Sequence, residues 1–505
     1  MLWVRSLDSL QAQPLAGTED ATYPFWSPDG RSLGFFADRK LKKIQASGGT
    51  AQTLCDAIDG RGASWGAEGV IVFSPAPFGG LSQVSAAGGA PSAVTTPEDD
   101  GTTHRLPRFL PDGRRLLFFA GHPGKDKDNG IHALDLGTKK VTLLANENSE
   151  GRYVAPGYLT FIREGNLMAQ PMDPKTQRLS GEAVPVAEKV QFNPSRWTGA
   201  FTFSETGLML YQTGVSITKG RLTWLDAEGK EVKSLGEPAN INELALSPDG
   251  QRAVATILNS TGTSDLWMYD LVRGVGSRFT FQSEGSYAPV WSPDGRQVAY
   301  SDFNGRLFIK AADGASEPRA VLEETGGNHQ VDDWSPDGKT LLFWKQSAKT
   351  GFDIFLLPVT GEAKPQPLIV TAAGERFASF SPDSRWLLYV SDESGRRELY
   401  VVSYPGAGGK WQISTAGGAG GGWVENGRRI IYGDLDSHLF SVNVAAQGAN
   451  LVIGAPRPIF GGRPIPDVLA VAKDGQRFLA AVPQEESTSP MLVLVSDWTS
   501  GLKPR

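Results

Sequence analysis

One short turn phrase recurs along the chain, and it decides what the chain can fold into. Its clearest copies are Phe25-Trp26-Ser27-Pro28-Asp29-Gly30-Arg31, Val290-Trp291-Ser292-Pro293-Asp294-Gly295-Arg296 and Asp333-Trp334-Ser335-Pro336-Asp337-Gly338-Lys339. Close variants are Phe109-Leu110-Pro111-Asp112-Gly113, Leu246-Ser247-Pro248-Asp249-Gly250 and Phe380-Ser381-Pro382-Asp383-Ser384. Weaker copies fall at Trp65 to Gly69, Phe203 to Gly207, Trp423 to Gly427 and Val471 to Gly475, with a shortened one at Ala155-Pro156-Gly157. Successive turns lie 43 to 49 residues apart, with one gap of 39. That is the length of a four-stranded propeller blade.

Each residue of the phrase has a physical task. Pro presets φ for the second position of a type I turn, Asp suits the next, and Gly takes the left-handed conformation that releases the following strand in register. Ser384, standing where the other copies have Gly, is expected to be strained. An apolar run follows the turn, as in Leu33 to Phe36, Leu116 to Phe119 and Leu341 to Trp344. A third, alternating strand comes next, then a more polar fourth one that forms the solvated edge.

Eleven such hairpins exceed the four to eight blades that one ring usually holds. Leu2 to Leu7 reads as the third strand of a twelfth blade whose first hairpin is absent, so the expectation is an all-β chain of two six-bladed rings. The boundary is expected near Gly236 to Ile241, giving rings over 1–238 and 239–505. The chain also closes on a third strand, Met491 to Val495, expected to find its neighbours in the second ring. The absent hairpin raises the expectation that the reading frame is a fragment or starts late.

The WSPDG-type repeat resembles the WD-like propellers of the TolB family along the whole chain. Stretches at Leu2 to Leu10, Leu41 to Leu54, Arg163 to Met172, Arg221 to Gly236, Tyr389 to Ser414 and Ser496 to Leu502 are similar to the C-terminal propeller of acidobacterial-type transmembrane serine/threonine kinases. That resemblance implies an extracytoplasmic sensor attached to a membrane-anchored kinase. No Gly-rich phosphate loop, His-Arg-Asp loop or Asp-Phe-Gly accompanies it, so only the sensor portion is expected in this chain.

Other chemistry is thin. Net charge is −6, which argues against general nucleic-acid binding, and no apolar run of membrane-spanning length exists. A single Cys55 and five scattered His give no metal-ligand spacing, and no cofactor is expected. Gly62-Ala63-Ser64-Trp65-Gly66 matches a nucleophile elbow in letters but falls in the first strand of a repeat. Asp126-Lys127-Asp128-Asn129-Gly130 lacks the bidentate acid of a calcium loop, and Gly417 to Gly422 reads as an inter-blade loop.

One constellation remains. Loops entering the innermost strands line a channel mouth, and in that phase lie Arg61, His104, Arg105, Arg152, Asn242, Tyr287, Asn328, His329, Gln330 and Arg376. These polar residues point to recognition of a protein, a peptide or a small ligand, with an anionic or carbonyl-rich group meeting the arginines of the first ring. The expected function is therefore non-catalytic binding or sensing. The alternative is a propeller enzyme: a metal-dependent lyase, a lactonase-like hydrolase or the propeller of a peptidase.

Overall fold

The computed structural model describes all residues except 7, 10, 98–101, 123–128, 194–195, 205, 215–218, 260–262, 325–327, 348–349, 362–363, 407, 467, 485–490, 501 and 503–505. The described residues form short antiparallel strands with no α-helix. No helix among them is long and apolar enough to cross a membrane.

The turn phrase folds as its chemistry demands. In the copy at Ser27, the amide of Gly30 donates to Ser27 O at 2.9 Å, and Gly30 takes φ +67°. Ser27 Oγ donates to Asp29 Oδ1 (2.6 Å), which also accepts from the Arg31 amide (3.1 Å). Ser247–Asp249, Ser292–Asp294, Ser335–Asp337 and Ser381–Asp383 repeat the hydroxyl–carboxylate bond. Ser384 is indeed forced to φ +57°, a conformation that costs a residue with a Cβ.

The chain divides into two compact units, but not at 238/239. Unit one comprises Met1–Ile217 with Glu486–Arg505, and unit two comprises Thr218–Glu485. Strand pairing explains the shift. Gly220–Leu225 and Glu231–Ala239 are the outer strands of a sheet whose inner strands, Leu469–Val471 and Phe478–Pro483, come from far along the chain. The closing strand Leu492–Val495 returns to unit one instead, pairing with Met209–Gln212 as a third strand.

Unit two holds six sheets: this shared one and those starting at Ile241–Leu246, Tyr287–Trp291, His329–Trp334, Glu375–Phe380 and Gly420–Val424. Apolar cores join each sheet to the next and the last back to the first, so the sheets form a closed β-propeller. Burial of Phe343, Leu341, Val298 and Leu479, all fully inside these cores, is what holds the sheets face to face.

Unit one also has six sheets, plus a small hairpin of Phe192–Asn193 and Thr198–Gly199. Its first sheet has only two strands, Leu2–Val4 and Gln13–Leu15, where the full sheets have four or more. Five cores link its sheets in sequence order, and Trp498 enters the last of them beside Phe201 and Met209.

Candidate functional site

Innermost strands of both units share a local device. Their pairing register slips at Thr22/Phe25, Arg105/Arg108, Tyr287/Val290 and Arg376/Ser379. Tyr23, Leu106, Ala288 and Phe377 take positive φ in these bulges. A bulge re-aims the chain and frees one amide from the ladder. The freed amide turns to the preceding sheet: Leu106 N donates to Arg61 O (3.0 Å), Ala288 N to Glu243 Oε2 (2.6 Å) and Ala378 N to Asp332 Oδ2 (2.8 Å).

In unit one Arg61 and Arg105 come close to each other, and Arg152 belongs to a second group with Arg108. Arg61 grips Asp59 with both terminal nitrogens, Nη2 lying 2.7 Å from Oδ2. Arg105, 4% exposed, donates to Pro77 O (2.7 Å) and Thr103 Oγ1 (3.0 Å) while its guanidinium lies 4.6 Å from the centre of the Trp197 ring. Burial, with Arg61 nearby, lowers its pKa to about 9. Arg152 binds both oxygens of the buried Glu150 at 3.0 Å. Glu150 remains ionised because Arg152 and Arg108 outweigh the cost of its burial.

Arg108 escaped the sequence reading. It shares Glu150 with Arg152 at 3.7 Å, and its buried Nε has no hydrogen-bond partner. Its position was legible, one bulge beyond Arg105; the identity of its partner was not. Arg61 and Arg105 thus share the neighbourhood of one carboxylate, Asp59, and Arg108 and Arg152 that of another, Glu150, each carboxylate being already gripped by one arginine. His104 is part of neither group. Its Nδ1 meets Thr95 Oγ1 at 2.8 Å, its ring lies 4.8 Å from that of Phe118, and burial lowers its pKa to about 4.

The unit-two candidates are mostly committed to the framework. Tyr287 Oη donates to His329 O (3.0 Å) and Asn328 Oδ1 (3.2 Å), and its ring stacks on Phe303. His329 is fully buried with Nδ1 2.6 Å from Gly305 O. Arg376 lies over the Phe352 and Phe377 rings. Gln330 is half-buried and Asn242 is exposed. Carboxyl groups that sequence reasoning missed, Glu243, Asp332, Asp333 and Glu375, lie on these same inner strands, and burial raises the pKa of each.

Two motifs resolve into structural roles. Ser64 Oγ accepts from the Phe109 amide (3.1 Å) and so staples one sheet to the next. Gly417 to Gly422 is not simply a loop, since Gly420–Val424 is an innermost strand. A Cβ at Gly420 or Gly422 would meet nothing within 4 Å, and these glycines line a cavity of 480 Å³ shared with Leu469 and Val471. Asp126 to Asp128 lie outside the described residues; the neighbouring Asn129 is buried and accepts from the His122 amide (2.6 Å). Among the described residues, no three His, Cys, Asp or Glu side chains gather closely enough to hold a metal.

Fold and repeat together define a β-propeller. Residues 279–452 match the family model described as TolB beta propeller domain. A 112-residue stretch, 20% of this chain, is 31% identical to an uncharacterized peptidase, YuxL, of Bacillus subtilis and covers 17% of it. A 61-residue stretch, 12% of the chain, is 39% identical to the Tol-Pal system protein TolB of Alcanivorax borkumensis and covers 14% of that protein. The crystal structure of TolB from Acinetobacter baumannii aligns with 66% of this chain and 78% of its own, at 15% identity and a TM-score of 0.39. The chain spans half or less of the length of the curated relatives it matches.

Proposed function

We propose that the protein is a non-catalytic recognition propeller whose unit one binds an anionic group of a protein or peptide partner at Arg105 and Arg108. The carrying observation is that each of two arginine pairs beside the inner strands of unit one, Arg61 with Arg105 and Arg108 with Arg152, has a single carboxylate. Arg61 and Arg152 each hold a carboxylate, whereas Arg105 is bonded only to neutral oxygens and Arg108 has only a share of Glu150. Buried guanidinium charge that the protein itself does not match is best matched by a ligand carboxylate or phosphate, which takes up paired N–H donors. A sensor attached to a membrane kinase is a natural setting for such a module.

The elbow-like motif lends no support to a catalytic reading, since Ser64 Oγ accepts from the Phe109 amide and joins one sheet to the next. The test is anisotropy of a labelled glutamate-rich peptide with the full chain. Arg108→Ala is expected to weaken binding about tenfold, the worth of one charged hydrogen bond. Equal affinity in Arg108→Ala and Arg61→Ala would remove unit one from the account.

A further inference from the structure

Counting from the sheet that starts at Ile241, unit two carries buried acid where its third sheet, 329–369, meets its fourth, 375–412. Asp332 accepts from the Ala378 amide (2.8 Å) and Asp333 from the Phe380 amide (2.7 Å), so two carboxyl groups tie one inner strand to the next. Two more lie deeper. Glu375 opens the inner strand of the fourth sheet and is 1% exposed; Asp353, in the third sheet, is 4% exposed. Each has one oxygen held by a threonine hydroxyl, Thr371 for Glu375 and Thr350 for Asp353. The other oxygen of each, Glu375 Oε2 and Asp353 Oδ1, is buried without a partner. An ionised carboxylate in that condition is costly, while a carboxylic acid gains a donor and loses its charge.

Among the described residues, the surroundings do little to neutralise them. From the third sheet come Asp332, Asp333, His329, whose pKa burial lowers, and Lys345, which is turned to Glu324. From the fourth come Asp392, whose Oδ1 accepts from Gly374 N (2.9 Å), Tyr389, and Glu393, which pairs with Lys410. Arg376 is the cation that acts on Asp332, and it also lies over Phe352 and Phe377.

We propose that this joint is a proton-operated latch, shut while Glu375 and Asp353 hold protons on their unpartnered oxygens and loosened when both ionise, which frees the Gln330 and Arg376 lip of the unit-two mouth. The protons exchange with solvent and no other reactant is needed. Burial raises Glu375 to about 7, with Asp353 and Asp392 adding repulsion; it also raises Asp333 to about 7 and pushes Asp332 and Asp353 upward. The sign follows: the stabilisation is full below the unfolded carboxyl pKa near 4.5 and is lost as pH climbs to about 7.

Hydrogen exchange of the full chain, corrected for intrinsic rates, tests this at pH 5 and pH 7.5. Protection of segments 329–334 and 375–380 is expected to fall about tenfold at the higher pH, relative to strand 115–121 of unit one. Glu375→Gln, which mimics the protonated acid in nearly the same shape, is expected to abolish most of that fall, and Asp353→Asn to reduce it. Should Asp353→Asn fail to fold, Glu375→Gln decides alone. Equal wild-type protection at both pH values, or an undiminished fall in Glu375→Gln, would overturn the latch.

Discussion

Units one and two grow from one repeat, yet they finish and line themselves differently. Unit two joins its ends by sharing a sheet evenly, two outer strands from residues 220–239 and two inner strands from residues 469–483. Unit one gains a single late strand, Leu492–Val495, with Trp498 behind it, and keeps a two-stranded first sheet. The inner strands differ as sharply, with arginine excess in one unit and buried carboxyl groups in the other. The repeat therefore dictates the blade, while the side chains near a few bulge positions differ from one unit to the other.

The comparison can be broken most severely at the chain end. Stopping the chain after Gln484 removes Leu492–Val495 and buried Trp498, costing unit one on the order of 5 kcal/mol or more. Calorimetry should show the unit-one transition falling by more than about 10 °C while that of unit two stays in place. A common fall of both would mean that the units do not fold separately. Next in size is Arg152→Ala, which leaves Glu150 buried with the Gly199 amide (3.3 Å) and the long contact to Arg108. It should cost unit one about 3 kcal/mol, measured by denaturant midpoint.

Acid should drive the units apart. His104 and His132 of unit one are held neutral by burial, so below pH 6.5 the unfolded chain binds more protons and unit one weakens as pH falls toward 4. Unit two carries Glu375 and Asp333 with raised values and gains over part of the same range, with buried His329 opposing in part. Melting scans at pH 7.5 and pH 5 should show the two transitions moving in opposite directions; parallel shifts would contradict the contrast. The smallest effect is expected at Ser384→Gly, where relief of the positive φ should stabilise unit two by about 0.5 kcal/mol.

The turn phrase made the blades legible, since Pro, Asp and Gly act through local geometry that any copy displays. Ring membership was not legible, because pairing of residues 220–239 with 469–483 is a long-range event without a local signature. The mouth was half legible. Arg105 and His104 occupy the same phase, but consecutive strand residues point to opposite faces, so Arg105 meets Trp197 while His104 enters the core beside Phe118. Glu243 and Asp332 were hidden because their partners are amides freed by bulges at Ala288 and Ala378, which no spacing announces.

Hydrogen-exchange footprinting with the glutamate-rich peptide tests the central contrast most directly. Protection is expected in Thr103–Phe109 and Arg152–Val154 of unit one, with none in His329–Trp334 or Glu375–Phe380 of unit two. Protection of the unit-two strands, or of neither unit while the peptide is bound, would contradict it.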